Sequence, residues 1–212
     1  MNLYTEHAKS FAKIFLHFLF PVSCPVCGRP AEIICPDCAK KFFAEKIIHK
    51  KIENLEIFSA SWYHTDINQI ISLFKYSGVR AFCKPFGREM AKFFPKPDAD
   101  YLAPVPLHVK SKRNYNQALE LAKGMSEIWN IKIFEGAEWS REMPNRAGLR
   151  AEERMKLNSD AFIIPKKIKA LRVAIIDDVC TTGMTLLRFS QACETSGAYV
   201  RGAYTLATVS EY

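Results

Sequence analysis

The 212-residue chain has no apolar run of about 20 residues, the length that a membrane-crossing helix needs. It has no internal repeat of solenoid period and no low-complexity tract, which excludes a repeat array and a disordered chain. It has no G-x4-G-K-[ST] string, so a Walker-type nucleotide loop is excluded. What remains is an ordinary globular composition, 49% apolar and 25% charged. The length suits one substantial domain with a small satellite.

Negative charge is in short supply: 30 Lys and Arg face 22 Asp and Glu, a formal net charge of +8. That balance favours anionic partners, such as phosphates, nucleotides, nucleic acid or an acidic membrane surface. A generic basic surface is the plain alternative. The N-terminal "FAKIFLHFLFPVSC" loosely suggests a signal peptide or lipoprotein anchor. Lys13 and His17 interrupt it, however, and Pro-Val-Ser is a poor lead-in to an acylated cysteine. Phe11, Ile14, Phe15, Phe18 and Leu19 fall at helical spacing, opposite Lys9, Lys13 and His17. An amphipathic helix packing on the rest of the protein is expected, with peripheral membrane contact as the alternative. The expected location is the reducing cytoplasm.

Four of the seven cysteines are spaced Cys24-x2-Cys27-x7-Cys35-x2-Cys38. Each pair can place two thiolates on one metal from a tight turn, and two such turns complete a tetrahedral site. Structural zinc is the expected occupant, because four thiolates leave no open coordination position. Iron–sulfur ligation is the competitor, and two disulfides fit a reducing compartment poorly. Cys83 and Cys193 sit in helical patterns and read as small core residues. Cys180 lies inside the motif described next, with packing as its default role.

From about residue 57 onward, strand and helix patterns alternate. "FSASWYH" reads as a strand, and "INQIISLFKYSG" and "CKPFGREMAKFF" as helices, the second closed by Pro95 and Pro97. "DADYL" reads as a strand entering a proline-punctuated loop, and "NYNQALELAKGMSEIW" as a helix. "GLRAEERMKLN" reads as a shorter helix, "LRVAIID" as a buried strand, Thr185–Ser196 as a helix and "AYVRGAYTLATV" as a last strand. The alternation predicts an α/β domain with a doubly wound, mainly parallel sheet over residues 51–212. Residues 1–50 would hold the amphipathic helix, the cysteine module and a helix from Pro36 to about Ile48.

"VAIIDDVCTTGMT", Val173 to Thr185, is the most informative string. An apolar strand ends, the chain turns, and a helix begins near Thr185. Helix-start amides and the hydroxyls of Thr181, Thr182 and Thr185 make a phosphate cradle, into which Gly183 lets the backbone come close. Asp177 and Asp178 would repel phosphate, but suit sugar hydroxyls or a magnesium ion carried by the ligand. A capped helix with two structural acids is the plain alternative. The string resembles the binding signature of type I phosphoribosyltransferases, which hold 5-phosphoribosyl 1-pyrophosphate (PRPP). The resemblance implies that Asp177 and Asp178, the candidate catalytic residues, hold the ribose 2′ and 3′ hydroxyls. It implies that the loop Val179, Cys180, Thr181, Thr182, Gly183, Met184 and Thr185 lines the substrate, with Thr181 to Thr185 on the 5-phosphate.

Other segments narrow the match. "CPVCGRP…CPDC", "FKYSG", "APVPLH", "RNYNQA" and R-x3-N at Arg154 to Asn158 occur in that order. Together they resemble the ComF family, which includes GntX-like proteins and is linked to natural competence. The chain departs from that family at Asn114, where glycine is usual, and at Arg146, where glutamine is usual. A PRPP site needs a second anion cradle. Val105 and Pro106 in the "APVPLH" loop, the cations Lys110, Lys112 and Arg113 after it, and Lys75 in "FKYSG" are the candidates for pyrophosphate. A solvated basic loop is the alternative for these. The prolines admit a cis peptide bond. Phosphoribosyl transfer needs no protein nucleophile, and no residue stands out as a general base, though His64 and His108 are present. Two classes of function stay open. One is a phosphoribosyl-transferring enzyme with PRPP, magnesium and an unknown acceptor. The other is a non-catalytic competence factor or PRPP sensor that contacts single-stranded DNA or competence-machinery proteins, with Trp62, Tyr63, Tyr76 and Tyr115 available for stacking.

Overall fold

The computed structural model describes residues 24, 27–29, 35–64, 67–68, 70–72, 83–108, 111, 115–140, 161–165 and 168–210. The chain divides into two compact units, Met1–Lys41 and Phe42–Tyr212. No helix among the described residues is long and apolar enough to cross a membrane. The expected helices over residues 11–19 and 148–158 lie outside the described residues.

In the first unit, the second cysteine pair straddles the start of α1 (Pro36–Phe42). This helix stops short of the expected Ile48, where a strand begins instead. Ile48, Leu55 and Ile57 are buried at strand spacing on either side of a turn in which Glu53 takes a positive φ. β1 (Ile48–Ile52) and β2 (Leu55–Trp62) thus form an antiparallel hairpin. The lysines between the apolar residues hid its period-two pattern.

The second unit is built on a six-stranded sheet. After the hairpin come α2 (Cys83–Phe93), β3 (Tyr101–Pro104), α3 (Gln117–Trp129) and β4 (Lys132–Ile133). A small antiparallel pair follows, β5 (Glu138–Trp139) with β6 (Phe162–Ile163). Then come β7 (Arg172–Cys180), α4 (Met184–Thr195) and β8 (Tyr199–Thr208). The sheet order is β1-β2-β8-β7-β3-β4, and every pairing except that of β1 with β2 is parallel. The α/β class with a mainly parallel sheet, expected from the alternation, is what the chain forms.

Period-two alternation assigns the two faces. Val173, Ile175 and Ala203 pack in one core with Leu186, Phe189 and Cys193 of α4. Tyr204, one residue on from Ala203, meets Trp129 of α3 and Phe94 beyond α2 edge to face on the other side. Phe86, Met90, Leu121 and Met125 are almost wholly buried there, each contributing ~1.5–3 kcal/mol by burial. α2 and α3 touch backbone to backbone. A Cβ at Gly87 would overlap the Leu121 carbonyl, and one at Gly124 would overlap that of Lys84.

β3 begins at Tyr101 rather than Asp98. Asp98 and Asp100 serve instead as acceptors for the Arg172 guanidinium at the start of β7, with Asp100 Oδ1 2.7 Å from Nη2. Asp100 Oδ2 also accepts from the Arg172 amide at 2.9 Å. These bonds hold the Asp100 carboxyl down at about 2 and raise the Arg172 guanidinium.

Candidate functional site

The topology itself selects a place. From β3 the chain crosses through α3 to β4 on one side, and from β7 it crosses through α4 to β8 on the other. The sheet therefore reverses its winding between β3 and β7, and the loops leaving their carboxyl ends part to open a crevice. The two candidate anion loops are those two loops. Pro104 is level with Ile176, and the Val105 amide donates to the Ile176 carbonyl at 2.9 Å. Val105 and Pro106 thus leave the sheet at the same edge as Asp177.

β7 does not turn after Ile176. It stays paired with β8 through Asp177 and Val179 to Cys180. The two acids therefore leave an extended strand towards opposite faces of the sheet, rather than forming one paired carboxylate. Asp177 Oδ1 accepts from the Asp178 amide at 2.8 Å. Asp178 falls on the side of α2 and α3. There its charge, together with that of Glu120, helps to hold Cys83 as a neutral thiol, though burial is the main cause of a shift to about 12. Cys83 and Cys193 are core residues, as expected.

Beyond Cys180 the chain meets Gly183, which caps α4 with φ 72°, ψ −2°. A side chain fits poorly there for two reasons. The backbone is left-handed, and a Cβ would overlap Ile52 Cδ1, with Ile57 Cδ1 at 3.4 Å and Cys180 Sγ at 3.6 Å. Ile52, Ile57 and the buried Cys180 form an apolar floor beneath the loop. Cys180 is thus a packing residue. Gly183 offers no side-chain cap, and the first turn of α4 carries no acid. Thr182 Oγ1 accepts from the Met184 amide at 3.5 Å, a marginal bond. Thr181, Thr182, Met184 and Thr185 are exposed. A helix start with amides to offer, no acid and exposed hydroxyls around it suits an anion.

The facing loop is held stiffly. Asn116 Nδ2 donates to the Val105 carbonyl at 2.8 Å, and its Oδ1 caps α3 by accepting from the Leu119 amide. Trp139 Nε1 donates to the Pro106 carbonyl at 2.6 Å, and its ring meets His108 edge to face. No peptide bond among the described residues is cis, so the prolines stiffen this loop in the trans form. Beside it lies an open cavity of about 180 Å³, bordered by Pro106, Asn116, Phe134 and Glu135. Lys75, Lys110, Lys112 and Arg113 lie outside the described residues. Ile52, Asn116 and Trp139 went unread in the sequence. Only the "NQA" helix start was a usable signal, and it marks a cap without saying what the asparagine's amide would hold.

In the first unit, the sulfurs of Cys24, Cys27, Cys35 and Cys38 lie within 4.8 Å of one another. The Cys24 amide donates to the Arg29 carbonyl and the Gly28 amide to that of Cys24, both at 2.8 Å, while the Cys38 amide donates to the Cys35 carbonyl at 3.0 Å. Each pair is thus folded into its own turn. Burial, followed by hydrogen bonds with Cys35, Cys27 and Cys24, pushes the Cys38 thiol up to about 12. A divalent cation would reverse this by stabilising the thiolates. Four convergent sulfurs are a donor set that can hold zinc.

No family model matches the chain, and no curated protein matches it. Solved structures to which it is similar include an allosteric regulatory enzyme of purine biosynthesis, at 19% identity and a TM-score of 0.43 over 61% of this chain and 26% of that one. A Leishmania donovani UMP synthase is 20% identical with a TM-score of 0.37, over 64% of this chain and 24% of that one. An adenine phosphoribosyltransferase from Thermoanaerobacter pseudethanolicus is 13% identical with a TM-score of 0.42, over 82% of this chain and 99% of that one. The chain spans about a quarter of the length of the first two.

Proposed function

We propose that the Phe42–Tyr212 unit binds PRPP and acts as a phosphoribosyltransferase-like protein. One observation carries the proposal. At the winding reversal of the sheet, Asp177 and Asp178 lie near the carboxyl end of the strand that leads into a helix start with neither a side-chain cap nor an acid of its own. A ligand with hydroxyls in its middle and phosphate at its end satisfies both halves. Asp177 and Asp178 take the ribose hydroxyls from two sides, and Thr181 to Thr185 take the 5-phosphate. Val105 and Pro106, with Lys110, Lys112, Arg113 and Lys75, take the pyrophosphate. Magnesium, carried in with the ligand near Asp177 and Asp178, would supply neutralisation of the pyrophosphate charge. In a transfer, the bond from C1 to pyrophosphate breaks and an acceptor bonds to C1. The protein's share is to position the two reactants and to offer fixed dipoles to the departing charge.

The resemblance to the ComF family extends this proposal to a role in DNA uptake during natural transformation, in the cytoplasm. A second reading draws on Trp62 and Tyr63, 44% and 36% exposed at the carboxyl end of β2. In it the protein is a competence factor or PRPP sensor that stacks single-stranded DNA without catalysis. For the cysteine module, the proposal is a closed, structural zinc site.

Calorimetry with PRPP and magnesium is the test. Binding is expected in the unaltered chain and lost in Asp177→Ala/Asp178→Ala; unchanged affinity in the variant sinks the assignment. Pyrophosphate release, screened across acceptor bases and single-stranded DNA, separates the two readings. Release favours the enzyme. No release, together with a salt-sensitive DNA gel shift, favours the binding protein.

A further inference from the structure

We propose that Cys27 is the point of entry for peroxides and soft electrophiles at the four-cysteine centre, and that its modification releases the bound metal. This rests on the reading of that centre as a zinc site. The four sulfurs are not equivalent. Cys24, Cys35 and Cys38 are buried, whereas Cys27 is exposed on its turn. A reagent from solvent meets one sulfur of the four.

One feature beside Cys27 gives the exposure a chemical consequence. The Cys35 sulfur lies 3.6 Å from that of Cys27 and is placed to resolve an oxidised partner.

The step with a peroxide balances as follows. The Cys27 thiolate attacks the O–O bond of hydrogen peroxide, giving a sulfenic acid and a hydroxide that takes a proton from solvent to become water. The Cys35 thiolate then attacks the Cys27 sulfur, forming a disulfide and expelling a second hydroxide, which is likewise protonated. Two thiolates lose two electrons in all, and one peroxide becomes two waters. A maleimide instead forms one carbon–sulfur bond at Cys27. Either way the tetrahedral set loses at least one ligand and the metal is freed. The other described cysteines, Cys83, Cys180 and Cys193, are buried and offer little competition.

The full chain is tested in three measurements. Metal content is first read by elemental analysis. Labelling with a limiting maleimide is then followed by peptide mapping, with a chromophoric chelator reporting zinc in the same sample. Cys27 is expected to be labelled first, with about one zinc released per Cys27 modified. Cys27→His, which keeps four ligands, is expected to retain zinc and to resist both maleimide and peroxide at least tenfold. First labelling at Cys24, Cys35 or Cys38 overturns the proposal, as does zinc retained after Cys27 is modified, or wild-type zinc loss from Cys27→His. A chain isolated without metal overturns both this proposal and the zinc reading, and is recognised before any reagent is added.

Discussion

Two helices leave the crevice, and they start in opposite ways. α3 is closed at its own expense. Asn116 caps it, Glu120 sits in its first turn, and the other end of the Asn116 amide ties down Val105. α4 is left open, with a glycine in the cap position, no acid in the first turn and a marginal bond from Thr182. A helix that only has to end stably takes the first arrangement. A helix that has to receive an anion takes the second, because a built-in carboxylate would compete with the ligand. The difference separates the scaffold side of the site from the binding side.

The strongest way to break this contrast is to give α4 a side chain at its cap. Gly183→Ala forces a left-handed residue, at a cost of about 1–3 kcal/mol, and also drives Cβ into Ile52. PRPP affinity is expected to fall by a hundredfold or more in calorimetry. Adding Ile52→Ala should recover part of the lost stability in a urea titration, since the overlap is removed and the backbone strain remains.

Removing the cap of α3 is expected to act on stability first. Asn116→Ala deletes the cap and the bond to Val105, and should cost roughly 0.5–2 kcal/mol in chemical denaturation. Its affinity for PRPP should drop less than that of Gly183→Ala.

The opposite end of β7 serves as a control. Asp100 is held at about 2, below its ordinary unfolded value of about 3.9. The sign follows from that depression: the Arg172–Asp100 bonds add stability above about pH 4 and lose it as pH falls towards 2. Arg172→Met should flatten the acid limb of a stability–pH curve over that window, while PRPP affinity at neutral pH stays unchanged. The smallest structural effect belongs to Thr182→Ala. Its bond is long and exposed, so stability should move by less than about 0.5 kcal/mol, yet PRPP affinity should fall severalfold.

Much of this contrast was legible in the sequence. The alternation of elements gave the parallel sheet, and "VAIIDDVCTTGMT" marked the strand, the loop and the open helix. What was hidden was tertiary. The second strand of the hairpin was read in part, from Phe58, but its first strand, Ile48–Ile52, went unread because a histidine and two lysines separate its apolar ends. Ile52 reaches Gly183 across more than a hundred residues of chain, and no local pattern carries that distance. β7 runs on to Cys180 because β8 continues beside it, a partner the motif itself does not contain. Asp98 and Asp100 read as strand but serve Arg172, again through a distant partner.

The most direct measurement is an amide spectrum of the isotope-labelled protein, titrated with PRPP and magnesium. The account predicts large shifts for the Thr181 to Leu186 amides at the start of α4, and small ones for Gln117 to Glu120 at the start of α3. Equal shifts at both helix starts, or shifts at α3 alone, would contradict it.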